Sequence, residues 1–388
     1  MLAKILKTYI NPAIAHKKNV EEPFKAEKEY IKKCQEGVLF DGKRIKVAEP
    51  KVSFLIPVYN KAKYLPLALR SAQNQSLRDI EIVCLDDGST DSSVEVIEKF
   101  QKDDPRIVLF KHEKNMGTLT TRAHLGQYAN GKYIMWLDPD DAYCSPNTAK
   151  MAYEKAEKTG TDIVHFKYLH GKFDGVSVCT EKAPTVYGIM KQPQLSDAIF
   201  NKKKNLAINE IAVWNKLYSK MAYISAVNFL GEKRYKEHIC YAEDLLLTFA
   251  ILNVAKSYTR LDHIGYLYSI NIDSLTHKPH GMNGTKFVNP QKSNRFILDS
   301  ITVCKFIFEL CQNTPKGKDV AVRILQKRLF PQGNIKIKKA IAISDHLDKF
   351  KELIKMFLDC KYVSKNDKKY IKKYLRDVGK LVPKKGKK

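Results

Sequence analysis

Acidic residues follow two apolar, β-branched runs of this sequence, at positions suited to ligand binding. Asp86–Asp91 begins with two adjacent aspartates after one run, and Asp138–Asp141 holds three aspartates after another. A third run ends in the polar segment Pro57–Asn60. Ligands of an open parallel sheet bind just beyond the carboxyl ends of its strands. Carboxylates gathered there would suit a divalent cation, which prefers oxygen ligands, or a nucleotide.

The elements that must position these residues alternate between strand and helix from Val52 onward. Short apolar runs predict buried strands, and apolar spacings of three and four predict the helices between them. This repetition favours the α/β class with one doubly wound, mostly parallel sheet. The predicted strands are Val52–Tyr59, Ile80–Leu85, Ile107–Phe110, Tyr133–Leu137 and Ile163–Tyr168, and the clearest helices are Thr118–Tyr128, Asn147–Lys158, Ala242–Val254, Phe296–Gln312 and Leu347–Leu358.

The chain divides by pattern into three parts. Residues 1–48 form a helical extension, residues 49–282 the α/β domain, and residues 283–388 a basic helical region. The stretch 170–205 is irregular, with a hairpin around Phe173–Thr180. Ser92 and Glu95 are spaced as a capping box for the helix after the second strand.

Charge and cysteine usage indicate which partners and which cellular compartment suit this protein. The 388 residues carry 68 Lys and Arg against 42 Asp and Glu, a formal net charge of +26. This excess favours polyanions such as an anionic membrane surface or a phosphorylated substrate, although a basic protein kept soluble by lysine has the same composition. Eight cysteines without CxxC spacing fit a reducing cytoplasm and argue against zinc. No run approaches the roughly 18 apolar residues of a membrane span, and the N-terminus lacks signal-peptide features.

Together these segments resemble the nucleotide-sugar-binding domain of family 2 glycosyltransferases, over roughly residues 50–278. The resemblance implies a GT-A fold and an inverting transfer from a nucleotide-sugar, most simply a UDP-sugar. It further implies that Asp87 binds uracil, with Tyr59 beside the base. Pro57 and Asn60 lie at the end of the same first strand and are therefore also candidates for base recognition. Read alone, Asp86–Asp91 would better suit an ordinary turn with helix-capping residues, and only the other two segments reverse this preference.

The same resemblance assigns the diphosphate end of the donor. Asp140 and Asp141 would meet a Mg²⁺ or Mn²⁺ ion and the phosphates, and Asp138 would lie near the ribose or sugar. Which of these carboxylates contacts the metal stays open. Arg122 matches a basic residue that binds phosphate or donor in that family; otherwise it is an exposed helix arginine.

For the acceptor, the resemblance points to an acidic pair opening a helix, with Asp244 as catalytic base and Glu243 as its neighbour. Acidic residues also occur at helix starts simply because they complement the helix dipole. Trp214–Tyr218 resembles an acceptor-side segment, or else packs in the core. Tyr266–Tyr268, leading to Ser274–His277, resembles a closing segment, but Ser269 stands where many relatives have arginine, so His277 or Lys278 would have to replace it.

Two functions therefore remain open. One is a cytoplasmic transferase, peripheral at the membrane's cytoplasmic face, that glycosylates a glycan, a lipid-linked sugar or another hydroxyl acceptor. The other is a catalytically altered GT-A scaffold that binds polyanions or a membrane surface through its basic C-terminal region. Nucleic acid is not expected as a partner, and no glycine loop of a dinucleotide enzyme or P-loop protein is present. The sugar and the acceptor are not determined by these patterns.

Overall fold

A mixed ten-stranded sheet forms the centre of the molecule. The computed structural model describes residues 24–39, 45–171, 188–195, 212–269, 290–311 and 345–382, with a few isolated positions between them. In chain order the strands are β1 (Val52–Val58), β2 (Ile80–Asp86), β3 (Ile107–Lys111), β4 (Tyr133–Trp136), β5 (Ala142–Tyr143), β6 (Ile163–Gly171), β7 (Cys179–Thr180), β8 (Met190–Lys191), β9 (Lys216–Ser219) and β10 (Ser257–Ser269).

The strand order is β3-β2-β1-β4-β9-β6-β10-β5, with β7 beside β6 and β8 beside β10. The first four strands are parallel, and Val58 at the end of β1 lies opposite Asp86 at the end of β2. Strand β9 runs antiparallel between β4 and β6, and β10 returns parallel to β6. The carboxyl ends of β1, β2 and β4 therefore share one edge, as the predicted α/β class requires.

Helices cover the sheet and continue beyond it. They are α1 (Lys25–Gln35), α2 (Leu65–Gln73), α3 (Ser93–Asp103), α4 (Thr118–Tyr128), α5 (Thr148–Thr159), α6 (Lys220–Leu230), α7 (Glu232–Tyr235), α8 (Glu243–Val254), α9 (Pro290–Leu310), α10 (Leu347–Asp359) and α11 (Lys365–Gly379). Every residue of β1 and β2 is buried, because helices pack on both faces of a parallel sheet. The predicted helical C-terminal region is present; the exact division into three domains stays a prediction.

Two local predictions need correction. Ser92 lies at the N-cap of α3, but its side chain forms no capping hydrogen bond; instead Asp91 Oδ1 accepts the backbone N–H of Ser93 at 3.0 Å. The side chain that accepts a backbone N–H at the start of α3 is therefore Asp91 rather than Ser92. Strand β10 and helix α6 were not predicted, and part of the stretch expected to be irregular forms β8.

The C-terminal helices pack by their apolar faces. Phe308 of α9 and Phe357 of α10 have ring centroids 4.1 Å apart, and Ile371 and Tyr374 of α11 are buried. Ile371 and Tyr374 therefore fill the core and are not available to a membrane, while Lys369, Lys372 and Lys373 of the same helix are exposed. In the part of the chain that the structure describes, no helix is long and apolar enough to cross a bilayer.

Some sequence predictions fall outside the described residues. They are the segment Ser274–His277 with Lys278 and most of the expected hairpin at Phe173–Thr180. Within that hairpin region, β7 pairs antiparallel with β6.

Candidate active site

The two aspartates at the end of β2 have different surroundings. Asp87 accepts the backbone N–H groups of Met116 and Gly117 at 2.8 and 3.0 Å, and its Oδ1 lies 2.7 Å from Nδ1 of His112. Gly117 has φ +90°, a conformation that favours glycine. Asp87 therefore fastens the loop that leads into α4, and it is almost completely buried.

Asp86 has one carboxylate oxygen that accepts no hydrogen bond from the described residues. Its Oδ2 accepts the backbone N–H of Ser89 at 3.0 Å. Its Oδ1 is buried, and among the described residues no hydrogen bond reaches it. A buried carboxylate oxygen without a donor is costly, and it is a natural acceptor for a ligand N–H. Sequence reasoning overlooked Asp86, because two adjacent aspartates cannot be ranked without their hydrogen bonds.

The end of β1 is tied to the same segment. Asn60 adopts φ +52°, accepts the backbone N–H of Thr90 at 2.8 Å and donates its own N–H to Ser89 Oγ at 2.9 Å. Tyr59 is 45% exposed, so its ring is free to meet a ligand face. Pro57 lies inside β1, opposite Leu85 of β2. The structure thus gathers Tyr59 and Asn60 beside Asp86, with Pro57 behind them in the sheet.

In the turn after β4, Asp141 has a supporting position. Its Oδ2 accepts the hydroxyl of Tyr266 at 2.8 Å and its Oδ1 accepts the backbone N–H of Ser269 at 2.8 Å. Burial, followed by the negative charges of Asp140 and Asp138, raises the pKa of Asp141 well above its usual range. Asp141 therefore holds the end of β10 against this turn, and both of its oxygens are engaged.

Asp138 and Asp140 point to the more open side of the turn. Asp138 Oδ1 accepts from Arg122 Nη2 at 2.9 Å, and Asp140 Oδ2 accepts from Lys61 Nζ at 2.7 Å. Their side chains are 20% and 18% exposed. Lys61 was not among the predicted site residues, since only the fold brings it to a turn 79 residues away.

Arg122 is the buried counter-ion of this site. It is 3% exposed and its guanidinium stands over the ring of Trp136, 5.0 Å from the centroid. Besides Asp138, its Nη2 lies 3.5 Å from Asp244 Oδ1 at the start of α8. Burial lowers the pKa of Arg122, but the nearby carboxylates raise it more, so the guanidinium stays charged. Arg122 joins the turn after β4 to α8, rather than projecting from α4 as an exposed arginine.

The acidic pair, Glu243 and Asp244, begins helix α8, which is buried along most of its length. Residues 245–252 of α8 are buried, which is typical of a helix inside the core. The preceding residue, Ala242, has φ +62°, a conformation that is uncommon for residues other than glycine. Burial, with the charge of Asp244 as the second cause, raises the pKa of Glu243 to about 8. Glu243 and Asp244 are thus two carboxyl groups with unequal environments.

An aromatic group lies behind the turn. The ring of Trp214 stacks on Tyr266, with centroids 4.6 Å apart and planes at 16°, and on Tyr268 at 5.3 Å and 22°. Tyr266 also accepts the backbone N–H of Asp138 at 3.1 Å while its hydroxyl donates to Asp141. Trp214 is itself buried, so the described contacts are core packing that supports the acidic turn.

The donor set fits a hard divalent cation only in part. The described residues contain no group of three His, Cys, Asp or Glu side chains arranged to hold a metal. Asp138 and Asp140 nevertheless supply partly exposed carboxylate oxygens on one turn. Mg²⁺ commonly binds through one or two carboxylates and completes its shell with water and substrate phosphates, so this pair suits such an ion.

The comparisons identify the domain. The family model described as "Glycosyl transferase family 2" matches residues 53–224, which include the ends of β1, β2 and β4. Over these residues, which are less than half of the chain, the protein is similar to glycosyltransferase family 2. The resemblance expected from the sequence is thereby confirmed.

The chain is also similar to curated proteins that are named as sugar transferases. The chain is 29% identical over 231 residues to "Uncharacterized glycosyltransferase EpsJ" of Bacillus subtilis (strain 168), covering 60% of this chain and 64% of the relative. It is 24% identical over 245 residues to "GalNAc(5)-diNAcBac-PP-undecaprenol beta-1,3-glucosyltransferase" of Campylobacter jejuni, covering 56% and 72% respectively. The chain spans just under two thirds of the length of EpsJ.

Solved structures agree on the architecture. The crystal structure of S. aureus TarS 1-349 in complex with UDP-GlcNAc has a TM-score of 0.54 and 16% identity, covering 84% of this chain and 89% of that one. At this identity the likeness concerns the fold alone. It confirms the predicted GT-A fold.

Proposed function

We propose that this chain is an inverting glycosyltransferase that moves a sugar from a nucleotide-sugar, specifically a UDP-sugar, to a hydroxyl acceptor. One observation carries the proposal. The guanidinium of Arg122 contacts Asp138 at 2.9 Å and Asp244 at 3.5 Å. Arg122 thereby links Asp138, which suits the side of the leaving diphosphate, to Asp244, which suits the role of taking the proton of the acceptor hydroxyl.

Nucleotide recognition is assigned to the ends of β1 and β2. Asp86 Oδ1, buried at the strand end, is the acceptor for the ring N–H of uracil, and the exposed ring of Tyr59 stacks on the base. Asp87, first expected to bind uracil itself, instead holds the loop at Met116 and Gly117. In this proposal Asp87 shapes the pocket and Asp86 reads the base.

Asp138 and Asp140 are the residues proposed to hold a Mg²⁺ or Mn²⁺ ion, with Asp141 behind them. A bound ion would act as a Lewis acid and stabilise the charge on the departing diphosphate. Lys61 Nζ lies 2.7 Å from Asp140 Oδ2 and so adds a positive charge, besides that of the ion, next to the proposed metal ligands. Arg122 keeps Asp138 oriented from the buried side.

Asp244 is the proposed catalytic base. As the acceptor oxygen forms a bond to the anomeric carbon, its proton passes to Asp244 while the bond between that carbon and the phosphate oxygen breaks. The electron pair of the broken bond leaves with the diphosphate. Glu243 lies beside this base; burial, followed by the charge of Asp244, raises the pKa of Glu243 to about 8, and its role in the proposal is to tune its neighbour.

For the acceptor, we propose a lipid-linked glycan. The Campylobacter jejuni relative is named for an undecaprenol-linked substrate. The exposed basic face of α11 would suit an anionic membrane at which such acceptors reside, each cation contributing about 1 kcal/mol near the surface. The alternative of an altered scaffold draws no support from the relatives named above, both of which are called glycosyltransferases.

The test separates binding from transfer. UDP-sugars are screened with Mn²⁺ or Mg²⁺ for release of UDP, and single-turnover transfer is then measured for Asp244→Asn and Glu243→Gln. Asp244→Asn should lower transfer by about two to four orders of magnitude, the usual contribution of general base catalysis. UDP affinity should survive, because Asp86 and Asp138 are untouched. Near-normal transfer by Asp244→Asn would assign the base elsewhere, with Glu243 the first residue to examine.

A further inference from the structure

Asp299 of α9 is a buried carboxylate that the proposed reaction does not use. Only 2% of it is exposed, and its Oδ2 accepts the backbone N–H groups of Cys240 and Tyr241 at 2.9 and 3.1 Å. Its Oδ1 forms an ion pair with Arg295 Nε at 2.8 Å, one helical turn earlier. One side chain of the C-terminal region thus binds two consecutive amides of the loop before α8.

Those amides are close in sequence to the acidic pair. Tyr241 is followed by Ala242 in the left-handed conformation, φ +62°, and then by Glu243 and Asp244. A residue other than glycine stays in this conformation when its surroundings hold it there. Hydrogen bonds from two backbone N–H groups to a charged, buried carboxylate are strong enough to provide that hold.

We propose that Asp299 is a positioning residue for catalysis: it fixes residues 240–242 so that Asp244 faces Arg122 and the acceptor. The proposal rests on the proposed function, since it takes Asp244 as the base. It makes α9, which lies beyond the residues matched by the family model, a working part of the transfer site.

The structure also offers a matched control on the same helix. Glu309 of α9 pairs with Arg234 at 3.1 Å, near the short helix α7. This pair also links α9 to the segment before α8, but it makes no bond to the amides of Cys240 and Tyr241. Glu309→Gln therefore removes a charge from α9 while leaving the proposed anchor in place.

The experiment compares Asp299→Asn and Glu309→Gln in the full chain. Asp299→Asn should lower single-turnover transfer at saturating donor about a hundredfold, the effect of a small misplacement of a catalytic group. UDP affinity with Mn²⁺ should stay unchanged, and amide hydrogen exchange at residues 240 and 241 should become faster. Glu309→Gln should resemble the wild type in all three measurements.

Two results would overturn the proposal. One is faster exchange at residues 240 and 241 with wild-type transfer, because the anchor would then exist without serving the base. The other is an equal loss of UDP affinity and transfer in Asp299→Asn, because the effect would then be a general loss of structure. A wild-type protein that transfers no sugar would contradict the proposed function instead, and this is established before the variants are compared.

Discussion

Replacing Arg122 with methionine should destabilise the protein and remove the link between Asp138, on the proposed diphosphate side of the site, and Asp244, the proposed base. Arg122 contacts Asp138 at 2.9 Å and Asp244 at 3.5 Å, and its own side chain is 3% exposed. Removing one partner of a buried ion pair costs about 3–5 kcal/mol. The two carboxylates are 20% and 24% exposed, so water partly replaces the guanidinium. We therefore expect the lower end of this range, about 3 kcal/mol.

The variant should also change the pH dependence of transfer. The guanidinium of Arg122 lies 3.5 Å from Asp244 Oδ1, and a positive charge at this distance favours the ionised form of the proposed base. Without the guanidinium, Asp244 should bind its proton more tightly, and the acid limb of the pH–rate profile should move to higher pH. Single-turnover transfer across pH and urea unfolding measure the two effects separately.

Arg106 offers a control for stability alone. Its Nη2 pairs with Asp104 at 2.8 Å, both side chains are fully buried, and neither belongs to the site. Arg106→Met should destabilise at least as much as Arg122→Met, yet keep the wild-type pH profile wherever the protein is folded. Arg122→Lys retains the charge and should leave the acid limb near its wild-type position. If Arg122→Met kept the wild-type rate and acid limb, the idea that Arg122 links Asp138 to Asp244 would be refuted.

Three further predictions concern the metal, the acidic pair and the basic helix. Asp140→Ala should abolish Mn²⁺-dependent UDP binding in calorimetry, whereas Lys61→Met, which frees Asp140 of an ammonium group, should strengthen Mn²⁺ binding without nucleotide about tenfold; unchanged binding in both would contradict the assignment. Because the pKa of Glu243 rises from 4.5 to about 8 on folding, the unfolded chain binds fewer protons between these values and stability falls as pH rises through them. Glu243→Gln should remove this fall and stabilise the protein above pH 8 by an amount on the order of a few kcal/mol, in urea unfolding. Neutralising four exposed cations of α11 should weaken binding to anionic vesicles roughly a hundredfold or more, while neutralising four lysines on α3 and α5 should not. The two sets are Lys369, Lys372, Lys373 and Arg376, and Lys99, Lys102, Lys150 and Lys158.

The fold was predictable because its signals are local and repeated. Helix α4 was predicted at the observed bounds, and β1, β2 and β3 differ from the prediction by one residue at one end. Buried parallel strands consist of short apolar runs whose ends are marked by polar residues. Strand β10 escaped prediction, since residues 257–269 mix charged and apolar side chains without regular alternation.

The candidate residues were predictable as types, but their partners were not. Lys61 and Asp140 are 79 residues apart, and Tyr266 and Asp141 are 125 apart, so no sequence window contains either pair. Helix periodicity can position Arg122 on α4, but it cannot show that the side chain is buried against Trp136. These contacts decide which carboxylates are open to a ligand and which support the fold.

At the strand ends, the hydrogen bonds that each carboxylate already accepts separate the aspartates that support the fold from those that are open to a ligand. Asp87 and Asp141 are held by internal donors at both oxygens, and each fastens a loop or strand end. Asp86 retains a buried oxygen without a donor, and Asp138 keeps a fifth of its side chain exposed. A nucleotide N–H would satisfy the buried oxygen of Asp86, whereas both oxygens of Asp87 and of Asp141 already accept internal hydrogen bonds. In the proposed function the acidic segments therefore work in pairs, in which one aspartate supports the pocket and its neighbour is assigned to the ligand.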